Sequence, residues 1–89
     1  MKRNHIWQAI ELELRAAKKL QPNWPDHVCA QAGIVTKESG ELMQACLDRK
    51  YDKAEAKQLQ ELQIERIRKT AIQSAVSAIR FLENLKETL

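Results

Sequence analysis

Residues 64–85 read IERIRKTAIQSAVSAIRFLENL, and this stretch decides the fold class. Its apolar side chains recur every three or four residues, at Ile64, Ile67, Ala71, Ile72, Ala75, Val76, Ile79, Leu82 and Leu85. That spacing places them on one side of an α-helix, because a strand would require alternation. We predict a long helix from Ile64, after a polar stretch over 54–63 that forms a short or loosely packed helix. Asp52 and Glu55 have the spacing of a capping box.

Two more amphipathic segments precede this helix. The first covers residues 4–20, with Asn4 as a candidate N-cap. Residues 21–26 contain two prolines, which forbid a continuous helix. Asp26 is then placed to cap a second helix over residues 27–49.

The second helix is predicted to have two distinct faces. One face is apolar and consists of Val28, Ala32, Val35, Leu42 and Cys46. A neighbouring face mixes apolar and acidic residues, namely Ile34, Glu38, Glu41, Ala45 and Asp48. Gly33 and Gly40 lie inside this helix, where each costs about 1 kcal/mol relative to alanine. They indicate the close approach of another backbone or of a ligand.

Composition limits the domain organisation and the class of protein. The chain has 89 residues, 30% of them charged and 44% hydrophobic, with a net charge of +3, as expected for a single soluble domain over 1–89. We predict an all-α bundle of three to four helices. Because a chain this short buries little apolar surface, a homodimer or a larger homo-oligomer is expected to complete the core.

The sequence also limits the compartment in which the protein is expected to act and the kinds of partner it is expected to bind. No apolar run reaches the length of a membrane span, and no apolar segment of a secretory signal follows the N-terminus. Cys29 and Cys46 are seventeen residues apart. On one helix they would be separated by about 25 Å, so they cannot bridge to each other and are expected to be reduced in the cytoplasm. Basic residues are scattered among acids, which disfavours a nucleic-acid-binding surface.

One pair of acids could carry chemistry. Glu38 and Glu41 are three residues apart, so both carboxylates leave the second helix on the same side. Two adjacent carboxylates repel each other unless a cation lies between them. Carboxylate oxygens suit Mg²⁺ or Mn²⁺, although most pairs with this spacing are solvated surface.

The surroundings of this pair carry a resemblance to a known family. The run Thr36-Lys37-Glu38-Ser39-Gly40-Glu41-Leu42 is similar to the E-E-x-x-E helix motif of MazG-like nucleoside triphosphate pyrophosphohydrolases. The turn Asn23-Trp24-Pro25-Asp26-His27 and the stretches 68–73 and 78–83 also resemble small members of that group. The resemblance implies an all-α fold. It also implies Mg²⁺-dependent attack of water on a nucleoside triphosphate, which releases a nucleoside monophosphate and pyrophosphate.

The family motif is incomplete in this chain. Lys37 replaces the first acid of E-E-x-x-E. The later E-x-x-D pair falls on Thr70 and Gln73, neither of which is a carboxylate. A second alignment makes Glu65 the third acid, but Arg68 then falls where an aspartate belongs. Alternatively, Glu65 forms a buried or half-buried salt bridge with Arg68 or the neighbouring lysine and serves packing.

The resemblance implies a set of functional residues. Glu38 and Glu41 would be the catalytic acids and would hold Mg²⁺ or Mn²⁺, with Glu65 or Gln73 completing the site. The nucleotide-binding candidates are Lys37, Lys69, Gln73 and Trp24, although Trp24 could instead anchor the turn to the core. The missing acids leave a non-catalytic nucleotide-binding or protein-binding relative as one alternative, and a basic nucleic-acid-binding module as a second.

Overall fold

The computed structural model describes residues 1–86, which form three α-helices. Helix α1 spans Arg3–Leu20, α2 spans Val28–Tyr51 and α3 spans Lys57–Asn84. No strand occurs in this described part of the chain, so the all-α prediction is confirmed. The polar stretch 54–63 makes no separate helix, because most of it forms the first part of α3.

Two predicted helix caps are wrong. Asn4 lies inside α1, whose N-cap position is Lys2 and carries no side-chain hydrogen bond. Asp26 precedes α2 by two residues, and His27 takes the capping role instead. Its Nδ1 accepts a hydrogen bond of 3.1 Å from the backbone N–H of Cys29, which satisfies one of the free donors of the first turn.

Glutamines, and not the predicted capping box, hold the connection between α2 and α3. Asp52 lies at the C-terminal end of α2, and Glu55 lies before α3 begins. The Gln63 side chain accepts a hydrogen bond from the Ala54 backbone N–H (3.1 Å) and donates one to the Asp52 carbonyl (2.8 Å). Gln60 donates to the Ala54 carbonyl (2.8 Å). Residues on α3 thus reach back and fix the loop.

Helices α2 and α3 form an antiparallel hairpin. The hydroxyls of Ser39 and Ser74 are 2.9 Å apart, and Arg66 donates to the Asp48 carboxylate over 2.5 Å. From the first of these contacts to the second, α2 advances by nine residues while α3 runs back by eight. The two helices therefore lie side by side in nearly one-to-one register. This register fixes which residues of α3 lie level with the acidic pair.

Helix α1 packs on α3, and among the described residues its backbone does not come close to that of α2. Lys18 forms an ion pair of 2.9 Å with Glu83, so the C-terminal ends of α1 and α3 lie together. The segment 21–27 then crosses to the start of α2. Arg80 of α3 supports this crossing by donating a hydrogen bond of 2.8 Å to the Gln21 carbonyl.

The interior is small and unusually polar. The buried apolar residues of the described chain are Ile10, Ala45 and Val76, and its buried polar residues are Gln31, Thr70, Ser77 and Arg80. The accessible surface is 7055 Å², whereas a compact monomer of this mass would expose about 5,400 Å². The apolar face predicted on α2 is only partly covered in the single chain: Val35 and Leu42 are half-buried, whereas Val28, Ala32 and Cys46 are exposed.

Two further sequence expectations concern α2. A Cβ placed on Gly33 or Gly40 would meet nothing within 4 Å, so the predicted close approach of another backbone is wrong within the single chain. Cys29 and Cys46 are both free, as predicted.

Among residues 1–86, no helix combines the length and the apolar character needed to cross a bilayer.

Candidate functional site

A cleft of about 250 Å³ opens where all three helices and the segment 21–27 meet. It is lined by Glu13, Ala17, Leu20, Gln21, Trp24, Ile34, Glu38, Gln73, Val76, Ser77 and Arg80. We call this the three-helix cleft. Its wall combines apolar side chains with two acids and one arginine, the mixed lining typical of small-ligand sites.

Glu38 occupies the α2 wall of the three-helix cleft. Its Oε2 atom is buried and has no hydrogen-bond partner within the described chain. Burial raises the pKa of the Glu38 carboxyl, and the charge of the nearby Glu41 carboxyl raises it further, while Lys37 acts in the opposite direction. The two acids therefore interact, as their spacing predicts, and an unpartnered oxygen is available to a cation or a proton.

The hairpin register decides between the two positions considered for the second acidic pair. Gln73 lies level with the segment between Glu38 and Glu41, and it lines the same cleft as Glu38. Thr70 is one turn away but buried, and its hydroxyl donates to the carbonyls of Arg66 and Ile67 (2.8 and 3.1 Å). Of the two alignments, the one through Thr70 and Gln73, which supplies no carboxylate, therefore lies nearer the level of the acidic pair.

Glu65 lies away from this level. In the hairpin register it is opposite residue 49, about 12 Å along the axis from Glu41. Its carboxylate pairs with Arg68, so the predicted salt bridge is confirmed. The pair is exposed, however, not buried or half-buried as expected. Glu65 therefore has a partner of its own and does not face the cleft.

The opposite end of the cleft is formed by Trp24 and Arg80. The Arg80 guanidinium lies 4.6 Å from the centre of the Trp24 ring, so the turn is anchored to α3 by a cation–π contact. Arg80 is only 5% exposed and forms no ion pair within residues 1–86. The Nε atoms of both side chains, Trp24 Nε1 and Arg80 Nε, are buried without hydrogen-bond partners.

The remaining predicted nucleotide contacts divide into two groups. Trp24 and Gln73 line the cleft. Lys37 and Lys69 are exposed and lie outside its lining. Lys37 still acts on the site through its charge, because it opposes the rise in the pKa of Glu38.

Sequence reasoning missed Glu13, Ser77 and Arg80. Arg80 lies between Ile79 and Phe81 in an apolar run, where a basic residue usually extends its charge to solvent. The helical spacing held the signal, since Arg80 is four residues after Val76 and seven after Gln73 and shares their face. A cation on the buried face of a helix indicates either a paired core charge or a binding residue.

The acidic pair offers few ligands for a divalent cation. Within the described part of the chain, no group of three or more His, Cys, Asp or Glu side chains is placed to hold a metal ion. Glu38 and Glu41 nevertheless offer two hard oxygen ligands, one of them an orphaned atom. They fit a single Mg²⁺ or Mn²⁺ whose shell is completed by water and ligand oxygens.

Comparison of the chain with models of protein families, with curated proteins and with solved structures finds no match.

Proposed function

We propose that the chain binds a nucleoside triphosphate with Mg²⁺ or Mn²⁺ in the three-helix cleft, and that it hydrolyses this ligand weakly to the monophosphate and pyrophosphate. The observation that carries the proposal is the unpartnered, buried Oε2 of Glu38, which lies beside Glu41 and at the wall of an open cleft of about 250 Å³. Buried polar atoms without partners are rare in native proteins and point to an ion or ligand.

Glu38 and Glu41 would hold the cation. When bound, the ion neutralises phosphate oxygens and makes the phosphoanhydride more reactive towards water. The side chains themselves bind and orient: Glu38 and Glu41 position the metal-bound end of the ligand, and Gln73 donates or accepts a hydrogen bond at the same level. The apolar wall of Ile34 and Val76 excludes water from one side.

Hydrolysis is proposed to be weak because the cleft lacks a second acidic pair. Gln73 carries no charge, and Thr70 uses its hydroxyl on its own helix. Two carboxylates hold one ion less firmly than three or four would, and they leave no group to hold a second ion. This composition favours binding over turnover, so it also supports the non-catalytic relative as the second candidate.

We further propose that the working unit is a homodimer or a larger homo-oligomer, formed by the exposed apolar face shared by α2 and α3. Ile64, Ala71, Ala78 and Leu85 recur at intervals of seven residues, with Leu82 beside them. On α2, Val28 and Met43 are exposed next to the groove that Ala32, Val35 and Phe81 form. We call this the α2/α3 face.

Surface area supports a second copy as the occupant of the α2/α3 face. The excess of about 1,700 Å² over a compact monomer is more than the roughly 800 Å² that each partner buries in a standard interface.

Two free thiols agree with a reducing compartment, and we propose that the protein acts in the cytoplasm.

The test is thermal unfolding with and without a divalent cation. At ten times its dissociation constant, Mg²⁺ or Mn²⁺ should stabilise the folded state by about 1.4 kcal/mol, a shift of several degrees for a domain of this size. Glu41→Gln should remove the shift. Glu61→Gln is the matched control, because it makes the same chemical change on an exposed part of α3 outside the cleft.

Activity is measured in the same samples. A panel of ribo- and deoxyribonucleoside triphosphates is scored for pyrophosphate release, and slow metal-dependent release is expected. If millimolar Mg²⁺ and Mn²⁺ leave the wild type unchanged in melting temperature, with or without nucleotide, the metal site is wrong. Binding by calorimetry without any release would select the non-catalytic candidate.

A further inference from the structure

We propose that Arg80 and Trp24 form an oxyanion subsite at the turn end of the three-helix cleft, which binds a phosphoryl group of the ligand. The inference rests on the proposed function and names the chemistry of the end opposite Glu38. It assigns to Trp24 a hydrogen bond to phosphate, in addition to its anchoring of the turn to α3.

The first support comes from the charge and the burial of Arg80. A guanidinium cannot lose its charge under physiological conditions, and burying a charge without a counter-ion costs several kcal/mol. Arg80 is buried and forms no ion pair with any described residue. Its Nη2 donates to the Gln21 carbonyl, which uses only one of its five donors. An anionic ligand would supply the missing charge.

The second support is the pair of orphaned donors. Trp24 Nε1 and Arg80 Nε both carry N–H groups, both are buried, and both belong to side chains that line one cleft. The guanidinium and the indole ring are in contact, so both donors belong to the same end of the cleft. Neighbouring N–H donors with a positive charge bind the oxygens of phosphate or carboxylate.

The acids that line the same cleft restrict the ligand. Glu13 and Glu38 repel an anion, so an oxyanion is stable only beside Arg80 or when a cation screens the carboxylates. In the hairpin register Glu38 lies opposite residue 75, which puts Arg80 about 7 Å farther along α3. A di- or triphosphate offers separate phosphoryl groups for the metal-bound end and for Arg80, and we propose this class of ligand.

The fluorescence of Trp24 provides the test. The chain has two tryptophans, and Trp7 lies exposed on α1 outside the cleft, so the variant Trp7→Phe leaves Trp24 as the only reporter. Inorganic pyrophosphate, with Mg²⁺ and separately with EDTA, should change the emission saturably. Orthophosphate should bind more weakly because it has a single phosphoryl group. Succinate distinguishes a general dicarboxylate site from a phosphate site.

Substitution of Arg80 is the decisive part of this binding experiment. Arg80→Lys keeps the charge but removes the Nε donor and the flat stacking surface, and should weaken pyrophosphate binding about tenfold to a hundredfold. If this variant loses its helical circular dichroism, Trp24→Phe replaces it in calorimetry. That variant removes only the indole donor and should weaken binding severalfold, whereas Trp7→Phe should not.

The outcomes separate this inference from the proposed function. Pyrophosphate that binds in EDTA and depends on Arg80, in a protein with no metal response, would support the subsite and remove the metal site. Equal nucleotide affinity in the wild type and Arg80→Lys, with the metal response intact, would overturn the subsite alone. An unchanged Trp24 emission with no calorimetric heat would also overturn it and leave Arg80 as a support for the turn.

Discussion

Replacing Leu82 with alanine should weaken self-association strongly. Leu82 projects from the α2/α3 face and is 66% exposed in the single chain. Full burial of a leucine side chain is worth about 1.5–3 kcal/mol, so covering the exposed part contributes about 1–2 kcal/mol per chain. A two-fold symmetric dimer covers it twice. The loss is therefore about 2–4 kcal/mol, or about thirtyfold to several-hundredfold in the dissociation constant.

Sedimentation equilibrium from micromolar to hundred-micromolar protein measures this loss directly. Leu12→Ala is a matched control, because Leu12 is also 66% exposed but lies on α1, away from the α2/α3 face. The wild type and the control should dimerise alike, and Leu82→Ala should dissociate within the measured range. A wild type that stays at 10.3 kDa at every concentration refutes the reasoning, and so does equal weakening by the two substitutions.

Three further predictions concern the acidic pair and α2. In the absence of metal, stability should fall as pH rises above the usual pKa of about 4.5 for glutamate, because the raised pKa of Glu38 means that ionisation opposes folding. Glu38→Gln should remove part of this fall in urea titrations at several pH values, and an unchanged profile would contradict the burial of this carboxyl. Gln73→Glu adds a third carboxylate at the level of the pair, so it should tighten Mn²⁺ binding by calorimetry and speed pyrophosphate release, whereas Thr70→Glu should mainly destabilise the fold because Thr70 is buried. Gly40→Ala should raise the free energy of unfolding by about 0.5–1 kcal/mol, since the new methyl group meets nothing in the chain; a loss of dimer in this variant would indicate that a partner approaches there.

The helices could be predicted from the sequence because their apolar spacing is a property of each segment alone. Their caps could not, since several side chains compete for the same free donors. At the start of α2, His27 adopts the extended conformation of an N-cap and places Nδ1 on the Cys29 N–H, although Asp26 is the commoner residue type for that role. The Asp52 and Glu55 pattern fails similarly, because Gln60 and Gln63 already occupy the loop backbone.

The candidate site could be predicted only in part for a related reason. Glu38 and Glu41 are neighbours on one helix, so their interaction follows from spacing. Trp24 and Arg80 are fifty-six residues apart in the chain, and only the packing of α1 and the turn on α3 brings them together. The choice of a third acid beside Glu38 and Glu41 also depended on packing. Sequence alignment alone left Glu65 as an option, whereas the register of the hairpin places it away from the pair.

The two proposed surfaces lie on different sides of the hairpin. Helix α1 contacts α3 and closes the three-helix cleft, while Leu82, Met43 and the groove by Phe81 lie on the side that α1 leaves uncovered. A substitution on the α2/α3 face should therefore change dimerisation without touching a residue of the cleft. Such a substitution should alter ligand binding only if it lowers the fraction of folded protein. The reason is that a ligand that binds only the folded state is linked to the folding equilibrium. At protein concentrations where Leu82→Ala is fully folded, its affinity for pyrophosphate should thus equal that of the wild type, and a difference would mean that the partner subunit contributes to the cleft.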